Sequence, residues 1–328
     1  MCGKKMSILD KKIEEAKTIC ILGHKNPDGD CIGSTLSLYN YIQNKYSDKI
    51  VKPYLEEFSE KFLILPNADK IKYDLKDATK FDLCIVVDSS NVDRFKDFQH
   101  YFDEAKDTIV IDHHENNMVP AKTSILFPES IATCEILYEF LDKKYIDINV
   151  AMCLYVGLAT DSGVFRYKAT TKKTLEIAGL LIDYGFDFTK LLDTIVFNNS
   201  LNQRKAQGIA FERLKLICKG QVSFSYLDDD DLEKLKLQKN DIDNVIVYLR
   251  EMDNVKVASF AYQVGNNIFK LSLRSNDYNV NVAEFAMKHD GGGHMLAAGC
   301  MYYGSIEDVK KNFEEDMGNY IAECEDKK

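Results

Sequence analysis

Residues 18–34 read TICILGHKNPDGDCIGS, and this stretch combines a buried strand with an unusual density of polar side chains. TICIL is an apolar run rich in β-branched residues, which is typical of a strand inside a sheet. The Asn-Pro-Asp-Gly segment that follows is typical of a tight turn. His24, Asp28 and Asp30 lie in or beside this turn. The segment is therefore either an ordinary polar bend or one part of a metal site.

The first half of the chain alternates apolar runs with amphipathic stretches. We predict strands within 18–24, 49–57, 81–90 and 107–115, and a helix within 31–46 that Gly33 and Ser34 open. Helices are predicted to dominate from 129 to 195. Strands that alternate with helices indicate βαβ units, so we predict an α/β fold with a mainly parallel sheet flanked by helices.

The second half reads as a smaller α/β unit. We predict a catalytic domain at 1–196, a connecting segment at 197–216 and a second domain at 217–328. A strand is predicted at 221–227, and 254–275 reads as a hairpin that turns at Gly-Asn-Asn. The four aspartates at 228–231 indicate the solvated start of a helix.

Composition limits the classes of function. The chain has 328 residues, of which 45% are hydrophobic, and its net charge of -10 argues against a broad surface for long nucleic acid duplexes. The chain contains neither an apolar run of about 18 to 20 residues nor a signal peptide pattern, so we expect a cytoplasmic protein that does not bind membranes. The nine cysteines are scattered without a C-x-x-C pair, which indicates reduced core residues.

Acids and histidines concentrate in five separated segments, and four of the six histidines of the chain lie there. A pair of divalent cations needs one bridging carboxylate and further ligands on each side. Oxygen-rich ligands with a few imidazoles suit manganese or magnesium better than zinc, and we expect no cysteine in the cluster. The candidate ligands are His24, Asp28, Asp30, Asp88, one histidine of the Asp112-His113-His114 segment, and Asp161.

Each of these signals also has a structural interpretation. The Asn-Pro-Asp-Gly segment can be an ordinary turn, Asp88 can cap a helix, and Asp161 can cap a turn. Arg274 is most simply a surface arginine. Beside the glycine-rich segment that ends at His294, however, its guanidinium becomes a candidate clamp for phosphate.

Taken in order, six motifs resemble the DHH phosphoesterase family. They are HKNPDGDCIGS, VVDSS, IDHHENN, ATDSGVFRY, LRSN and GGGHMLAAGC, and they span residues 23–300. The resemblance is specifically to the nanoRNase branch, which comprises bifunctional oligoribonucleases and adenosine 3',5'-bisphosphate (pAp) phosphatases. It implies an N-terminal catalytic DHH domain with two Mn²⁺ ions, Mg²⁺ being the alternative, and a DHH-associated domain that binds substrate. It also implies an active site in a cleft between the two domains.

The resemblance further implies a role for each matching residue. One ion would be held by His24, Asp28 and Asp88, and the other by Asp30, Asp88, His113 and Asp161. Asp112 would orient His113, and His114 would lie near the scissile phosphate. The terminal phosphate of the substrate would be received by Arg274, Ser275, Gly292, Gly293 and His294.

The sequence departs from the family pattern at three positions. Asp290 stands where the family commonly has a glycine, Ser162 replaces the commoner threonine, and Asn281 stands where an aspartate is frequent. No departure affects an implied metal ligand, so we expect activity to be retained.

The function implied by the resemblance is hydrolysis of short oligoribonucleotides, including pApA, to mononucleotides, together with removal of the 3'-phosphate of pAp. A homodimer is compatible with this interpretation. A cyclic-dinucleotide phosphodiesterase and a manganese pyrophosphatase are the enzymatic alternatives. A nucleotide or metal sensor is the alternative without catalysis, and it is disfavoured because the ligand set is complete. A RecJ-type exonuclease is disfavoured by the acidic balance and the limited length of the chain.

Overall fold

The apolar runs of the first half form the strands of one parallel sheet. The computed structural model describes residues 6–73, 75, 78–242 and 244–326, and the chain divides into two compact units between Asn198 and Asn199. The strands of the first unit are β1 (Thr18–Leu22), β2 (Ile50–Tyr54), β3 (Leu83–Val87), β4 (Asp107–Asp112) and β5 (Thr123–Leu126). Their order is β2-β1-β3-β4-β5, and every neighbouring pair is parallel. The predicted α/β fold is confirmed.

Helices and apolar side chains cover both faces of this sheet. The helices are α1 (Ile8–Glu15), α2 (Gly29–Lys45), α3 (Gln99–Glu104), α4 (Thr133–Phe140), α5 (Ile148–Asp161), α6 (Lys172–Ile182) and α7 (Phe188–Leu192). One core includes Leu36 of α2 and Leu154 of α5, and the other includes Tyr101 of α3. Strand β3 is buried over its whole length, as expected for a strand covered on both faces.

Two details of the first unit differ from the sequence prediction. Helix α2 begins at Gly29 rather than at Gly33, because the Asp28 side chain accepts hydrogen bonds from the backbone amides of Asp30 and Cys31 and so caps the helix. Strand β5 was not predicted. Only Ile125 is buried in this edge strand, so it lacks the apolar run that identified its neighbours.

Glycines allow α2 and α5 to pack closely. A methyl group on Gly33 would lie 2.5 Å from the carbonyl oxygen of Cys153. Gly157 of α5 faces Cys134 of α4 and the carboxylate of Asp30 in the same way. Because these positions carry no side chain, the three helices approach one another beside the end of the sheet where the acidic residues lie.

The second unit contains a six-stranded mixed sheet. Its strands are β6 (Lys215–Ile217), β7 (Val222–Leu227), β8 (Val257–Gly265), β9 (Ile268–Ser275), β10 (Gly292–His294) and β11 (Ala297–Tyr303), in the order β10-β11-β9-β8-β7-β6. Its helices are α8 (Leu201–Glu212), α9 (Asp229–Leu235), α10 (Val245–Leu249), α11 (Val282–Met287) and α12 (Ile306–Asp326). The first of these helices lies within the predicted connecting segment at 197–216.

Several local predictions in the second unit are confirmed. Strand β7 occupies the predicted range, and β8 and β9 form the predicted antiparallel hairpin. Asp228 is the N-cap of α9, so the run of aspartates begins a helix. In the described part of the chain, no helix is both long enough and apolar enough to cross a membrane.

Candidate active site

Polar side chains from four segments converge at the carboxyl end of the parallel sheet. Asp88 directly follows β3, and His113 and His114 directly follow β4. Asp28 and Asp30 lie at the beginning of α2, and Asp161 is the last residue of α5. Ligand sites of open α/β sheets lie at this end of the strands.

Asp88 is the centre of the group. It is 2% exposed, and its Oδ2 lies 3.3 Å from Nε2 of His24 while its Oδ1 lies 3.5 Å from Nε2 of His113. Nδ1 of His114 lies 3.8 Å from the same Oδ1. The backbone of Asp88 has a φ of 51°, a left-handed conformation that costs a non-glycine residue about 1 to 3 kcal/mol and occurs frequently at functional sites. One carboxylate therefore faces imidazoles on both sides.

The two imidazoles are oriented by backbone carbonyls. Nδ1 of His24 lies 2.8 Å from the carbonyl oxygen of Lys25, and Nδ1 of His113 lies 3.3 Å from that of Ser130. With Nδ1 donating to a carbonyl, Nε2 is the nitrogen that can bind a cation. Nε2 of His24 also lies 3.6 Å from Asp28, so Asp28 extends the group on that side.

Asp30 is held by the first turn of α4. Its Oδ2 accepts from the amide of Thr133 at 2.6 Å, and its Oδ1 accepts from the amide of Cys134 at 3.0 Å. Gly157 provides the space for this carboxylate, since a side chain there would collide with it. The carboxylate groups of Asp30 and Asp161 and an imidazole nitrogen of His113 lie within 4.8 Å of one another.

Burial and like charge make this group of acids costly without a compensating cation. Burial raises the pKa of Asp30 to about 7, and the neighbouring Asp88 carboxylate adds to this shift. Burial also raises the pKa of Asp161, which ends a helix where the macrodipole disfavours a negative charge. Burial opposes the charge of Asp88 as well, but hydrogen bonds from His113 and His24 lower its pKa.

The pKa values of the two imidazoles are raised, which favours their positively charged forms. Although burial lowers the pKa of His113, the hydrogen bond to Asp88 and the charges of nearby acids raise it to about 10. The pKa of His24 is raised as well, because Cys31, Asp28 and Asp88 outweigh its burial. Positive charge is therefore favoured at both flanks of Asp88, which is where divalent cations would provide it.

The donor set fits two divalent cations. The oxygens and imidazole nitrogens are those that Mn²⁺ and Mg²⁺ accept, and ligand atoms of several of them lie within 4.8 Å of one another in three groups. The groups are His24, Cys31 and Asp88; Asp88, His113 and His114; and Asp30, His113 and Asp161. The first and third groups contain members of the two ligand sets that the resemblance implied, His24 and Asp88 in one and Asp30, His113 and Asp161 in the other.

The expectation that no cysteine lies in the cluster is wrong. Cys31 is fully buried, and its Sγ lies 3.2 Å from the backbone nitrogen of His24. Burial raises the pKa of this thiol to about 11, and sulfur is a softer donor than Mn²⁺ or Mg²⁺ prefers. Helix α2 begins at Gly29, which places Cys31 in its first turn, beside His24.

Asp112 orients His114, not His113 as the resemblance implied. Oδ1 of Asp112 lies 2.7 Å from Nδ1 of His114. The His113 imidazole takes no part in this contact, since its Nδ1 lies 3.3 Å from the carbonyl oxygen of Ser130 and its Nε2 faces Asp88. Sequence reasoning also missed Asn117, whose Nδ2 donates to Oδ2 of Asp112 at 2.6 Å.

The predicted phosphate-binding residues lie in the second unit, and part of the set is aligned by the register of its sheet. Arg274 of β9 pairs with Ala297 of β11, which in turn pairs with His294 of β10. Arg274 and His294 are therefore in one row, separated by a residue with only a methyl side chain. Ser275 points to the other face, where it is buried and donates to the carbonyl oxygen of Asp277.

The glycine-rich segment before His294 requires glycine at positions 291 and 293, whereas Gly292 has open space around it. Gly293 has a φ of 146°, and a methyl group there would lie 2.5 Å from the carbonyl oxygen of Ala297. Asp290 has a φ of 51°, which explains why glycine is common at this position in the family that the sequence resembles. The Asp290 carboxylate accepts a hydrogen bond from the hydroxyl of Tyr303 at 3.3 Å.

Family models match both units of the chain. The model described as "DHH family, N-terminal domain" matches residues 18–158, and the model of the DHHA1 domain matches residues 204–323.

Two named relatives and a solved structure align over most of the chain. A protein of Streptococcus mutans named "Probable bifunctional oligoribonuclease and PAP phosphatase NrnA" is 30% identical, and the alignment covers 90% of this chain and 93% of the relative. A Bacillus subtilis protein with the same name, without "probable", is 29% identical over 87% of this chain and 90% of its own length. The crystal structure of an exopolyphosphatase-related protein from Bacteroides fragilis has a TM-score of 0.89 at 24% identity and covers 97% of this chain and 96% of its own chain. The last similarity supports the fold alone.

Proposed function

We propose a function from the premise that this chain belongs to the DHH phosphoesterase family and is a metal-dependent hydrolase with DHH and DHHA1 domains. The proposed activity is the hydrolysis of short oligoribonucleotides, including pApA, to mononucleotides and the removal of the 3'-phosphate of pAp. The names of the relatives from Streptococcus mutans and Bacillus subtilis support this choice of substrates. We also propose that the protein acts in the cytoplasm.

The observation that carries the proposal is the position of Asp88 between two imidazoles. A carboxylate that faces His24 with one oxygen and His113 with the other is suited to bridge two cations. We propose Mn²⁺ as the metal, with Mg²⁺ as the alternative. When bound, such a pair would supply charge neutralisation at a phosphate and activation of a water molecule.

The residues of the chain contribute positioning and proton transfer. Asp30 and Asp161 keep their carboxylates in place through the first turn of α4 and the end of α5. His114 is assigned to the scissile phosphate, and its contact with Asp112 through Nδ1 means that Nε2 would exchange a proton with a phosphate oxygen. Arg274 and His294 are assigned to the terminal phosphate, where a guanidinium offers two parallel donors.

A panel of substrates with Mn²⁺ tests the proposal. Initial rates would be compared for pAp, pApA, a short RNA oligomer, a long single-stranded DNA, a cyclic dinucleotide and pyrophosphate. We expect the first three to be hydrolysed fastest. Fastest turnover of pyrophosphate or of the cyclic dinucleotide would replace the proposal with that activity, and saturable binding without turnover would indicate a sensor.

A pair of variants tests the central carboxylate. Asp88→Ala removes the proposed bridge, and we expect pApA hydrolysis to be abolished. Asp97→Ala removes an exposed carboxylate nine residues further along the chain and serves as the matched control, with activity near that of the wild type. Undiminished turnover by Asp88→Ala would contradict the proposed metal centre.

A further inference from the structure

Asn117 connects the two loops that follow β3 and β4. Its Nδ2 donates to Oδ2 of Asp112 at 2.6 Å and to the carbonyl oxygen of Ser89 at 2.9 Å. Its Oδ1 accepts from the backbone amide of Val119 at 2.9 Å. The orientation of the amide group follows from these partners, because the backbone N–H can only donate and the other two groups can only accept.

Both groups that Asn117 holds are next to candidate catalytic residues. Asp112 has no exposed surface, and its other carboxylate oxygen contacts His114. Ser89 is also fully buried, and it follows Asp88, whose left-handed backbone must be stabilised by its surroundings. A second contact joins the same loops, since the amide of Met118 donates to the carbonyl oxygen of Ser90 at 2.6 Å.

We propose that Asn117 is a positioning residue that fixes Asp88 and His114 together. Through Ser89 it holds the loop that orients the Asp88 carboxylate, and through Asp112 it holds the imidazole of His114. This inference rests on the proposed function, because it assigns Asn117 to the same metal centre. It adds a residue that contacts neither the metal ligands nor the substrate through its own side chain.

The isosteric change Asn117→Asp distinguishes an effect of side-chain positioning from an effect of charge on cation binding. The new carboxylate would replace a donor with an acceptor beside the Asp112 carboxylate and the Ser89 carbonyl, so both hydrogen bonds would be lost. An added negative charge near a cation site would by itself strengthen cation binding. If Asn117 acts by positioning, Asn117→Asp must instead weaken cation binding.

The chain provides a matched control at the adjacent position. Asn116 is exposed, so Asn116→Asp adds the same charge one residue away without changing the hydrogen bonds that Asn117 makes to Asp112 and Ser89. Asn117→Ala and Asn116→Ala form a second pair that removes the amide without adding charge, and this pair keeps the test valid if Asn117→Asp fails to fold. Circular dichroism and thermal unfolding would establish that each variant is folded.

The primary measurement is Mn²⁺ affinity by isothermal titration calorimetry on metal-depleted protein. We expect Asn117→Ala and Asn117→Asp to lose about 10- to 100-fold in affinity, the range typical for partners of metal ligands, while both Asn116 variants resemble the wild type. With pApA as substrate, kcat should fall while KM stays near that of the wild type. A general structural defect would instead lower the thermal midpoint and leave the kcat of the folded fraction unchanged.

Two results would overturn the proposal. One is an Asn117→Ala variant with the Mn²⁺ affinity and kcat of Asn116→Ala, and the other is tighter Mn²⁺ binding by Asn117→Asp, which would mean that charge alone decides. The metal titration needs no substrate. If the wild type binds Mn²⁺ but hydrolyses no member of the panel, the proposed function is contradicted. The Mn²⁺ affinities of the Asn117 variants would still test the positioning role.

Discussion

Replacing Gly157 of α5 by alanine should disturb the metal centre, because Gly157 packs against the carboxylate of Asp30. A methyl group at this position would lie 2.5 Å from Oδ1 of Asp30 and would also overlap Sγ of Cys134. The substitution gains about 1 kcal/mol of helix propensity, but forcing a methyl group into a filled core costs about 1 to 3 kcal/mol. We expect a net loss of about 1 kcal/mol in the free energy of unfolding.

The effect on cation binding should exceed the effect on stability. Relief of the overlap requires Asp30 or Cys134 to move, and either movement weakens the hydrogen bond from the Cys134 amide to the carboxylate. A hydrogen bond to a charged group contributes about 1.5 to 3 kcal/mol, so Mn²⁺ affinity should fall by about 10- to 100-fold. Urea unfolding of the metal-free protein and calorimetric titration with Mn²⁺ would measure the two quantities separately.

Gly179 of α6 provides the control. It is an exposed helical glycine with no atom within 4 Å of a new methyl group, so Gly179→Ala should raise stability by about 1 kcal/mol and leave Mn²⁺ affinity unchanged. If Gly157→Ala gained stability as Gly179→Ala does and bound Mn²⁺ as the wild type does, the packing argument for Asp30 would be refuted.

Three further changes test other features of the chain. The pKa of Asp82 is lowered by a hydrogen bond from Lys106 and by backbone amides. The ionised carboxylate therefore stabilises the fold fully above its unfolded pKa of about 4, and this contribution is lost as pH falls through the lower folded pKa. In urea titrations, the difference in unfolding free energy between wild type and Asp82→Asn should shrink between pH 7 and pH 3. Ser162 is buried and accepts from the amide of Phe165 within a left-handed turn, so Ser162→Ala should lose about 1 to 3 kcal/mol of stability while Ser162→Thr keeps it; equal losses for the two would exclude the hydroxyl as the cause. Asp290→Gly should raise the thermal midpoint by relieving about 1 kcal/mol of backbone strain and should lower KM for pAp by removing a negative charge beside the glycine-rich segment, and an unchanged midpoint would contradict the strain.

The buried parallel sheet was accessible from sequence because its central strands are apolar on both faces. Strands β1, β3 and β4 each left a continuous run of branched side chains, and the polar residues at their ends followed from the topology of such sheets. Edge strand β5 has one buried side, so a short sequence without periodicity gave no signal. Tertiary pairing with β4, rather than local preference, makes it a strand.

The supporting contacts of the candidate site were harder to predict from the sequence than its candidate ligands. Acids and histidines stand out in a sequence, and the structure brings His24, Asp88, His113 and Asp161 to the same end of the sheet. The cap formed by Asp28 was missed because the residue was interpreted as a turn residue or a ligand, although an aspartate before a helix also has a capping role. Asn117 ends the IDHHENN motif, but the sequence gave it no role, because its importance depends on a carbonyl group 28 residues away in the chain.

The way in which Asp30 is held affects how the protein can change by mutation. Its two partners at the start of α4 are backbone amides, which exist whatever side chains occupy positions 133 and 134. Substitutions at either position can therefore alter the surrounding core without removing a donor from the carboxylate. The exception is proline at position 133 or 134, which would delete the N–H that donates to the carboxylate. This part of the site is thus protected by the backbone against most single-residue changes, whereas Asp112 depends on the one side chain of Asn117 and has no such protection.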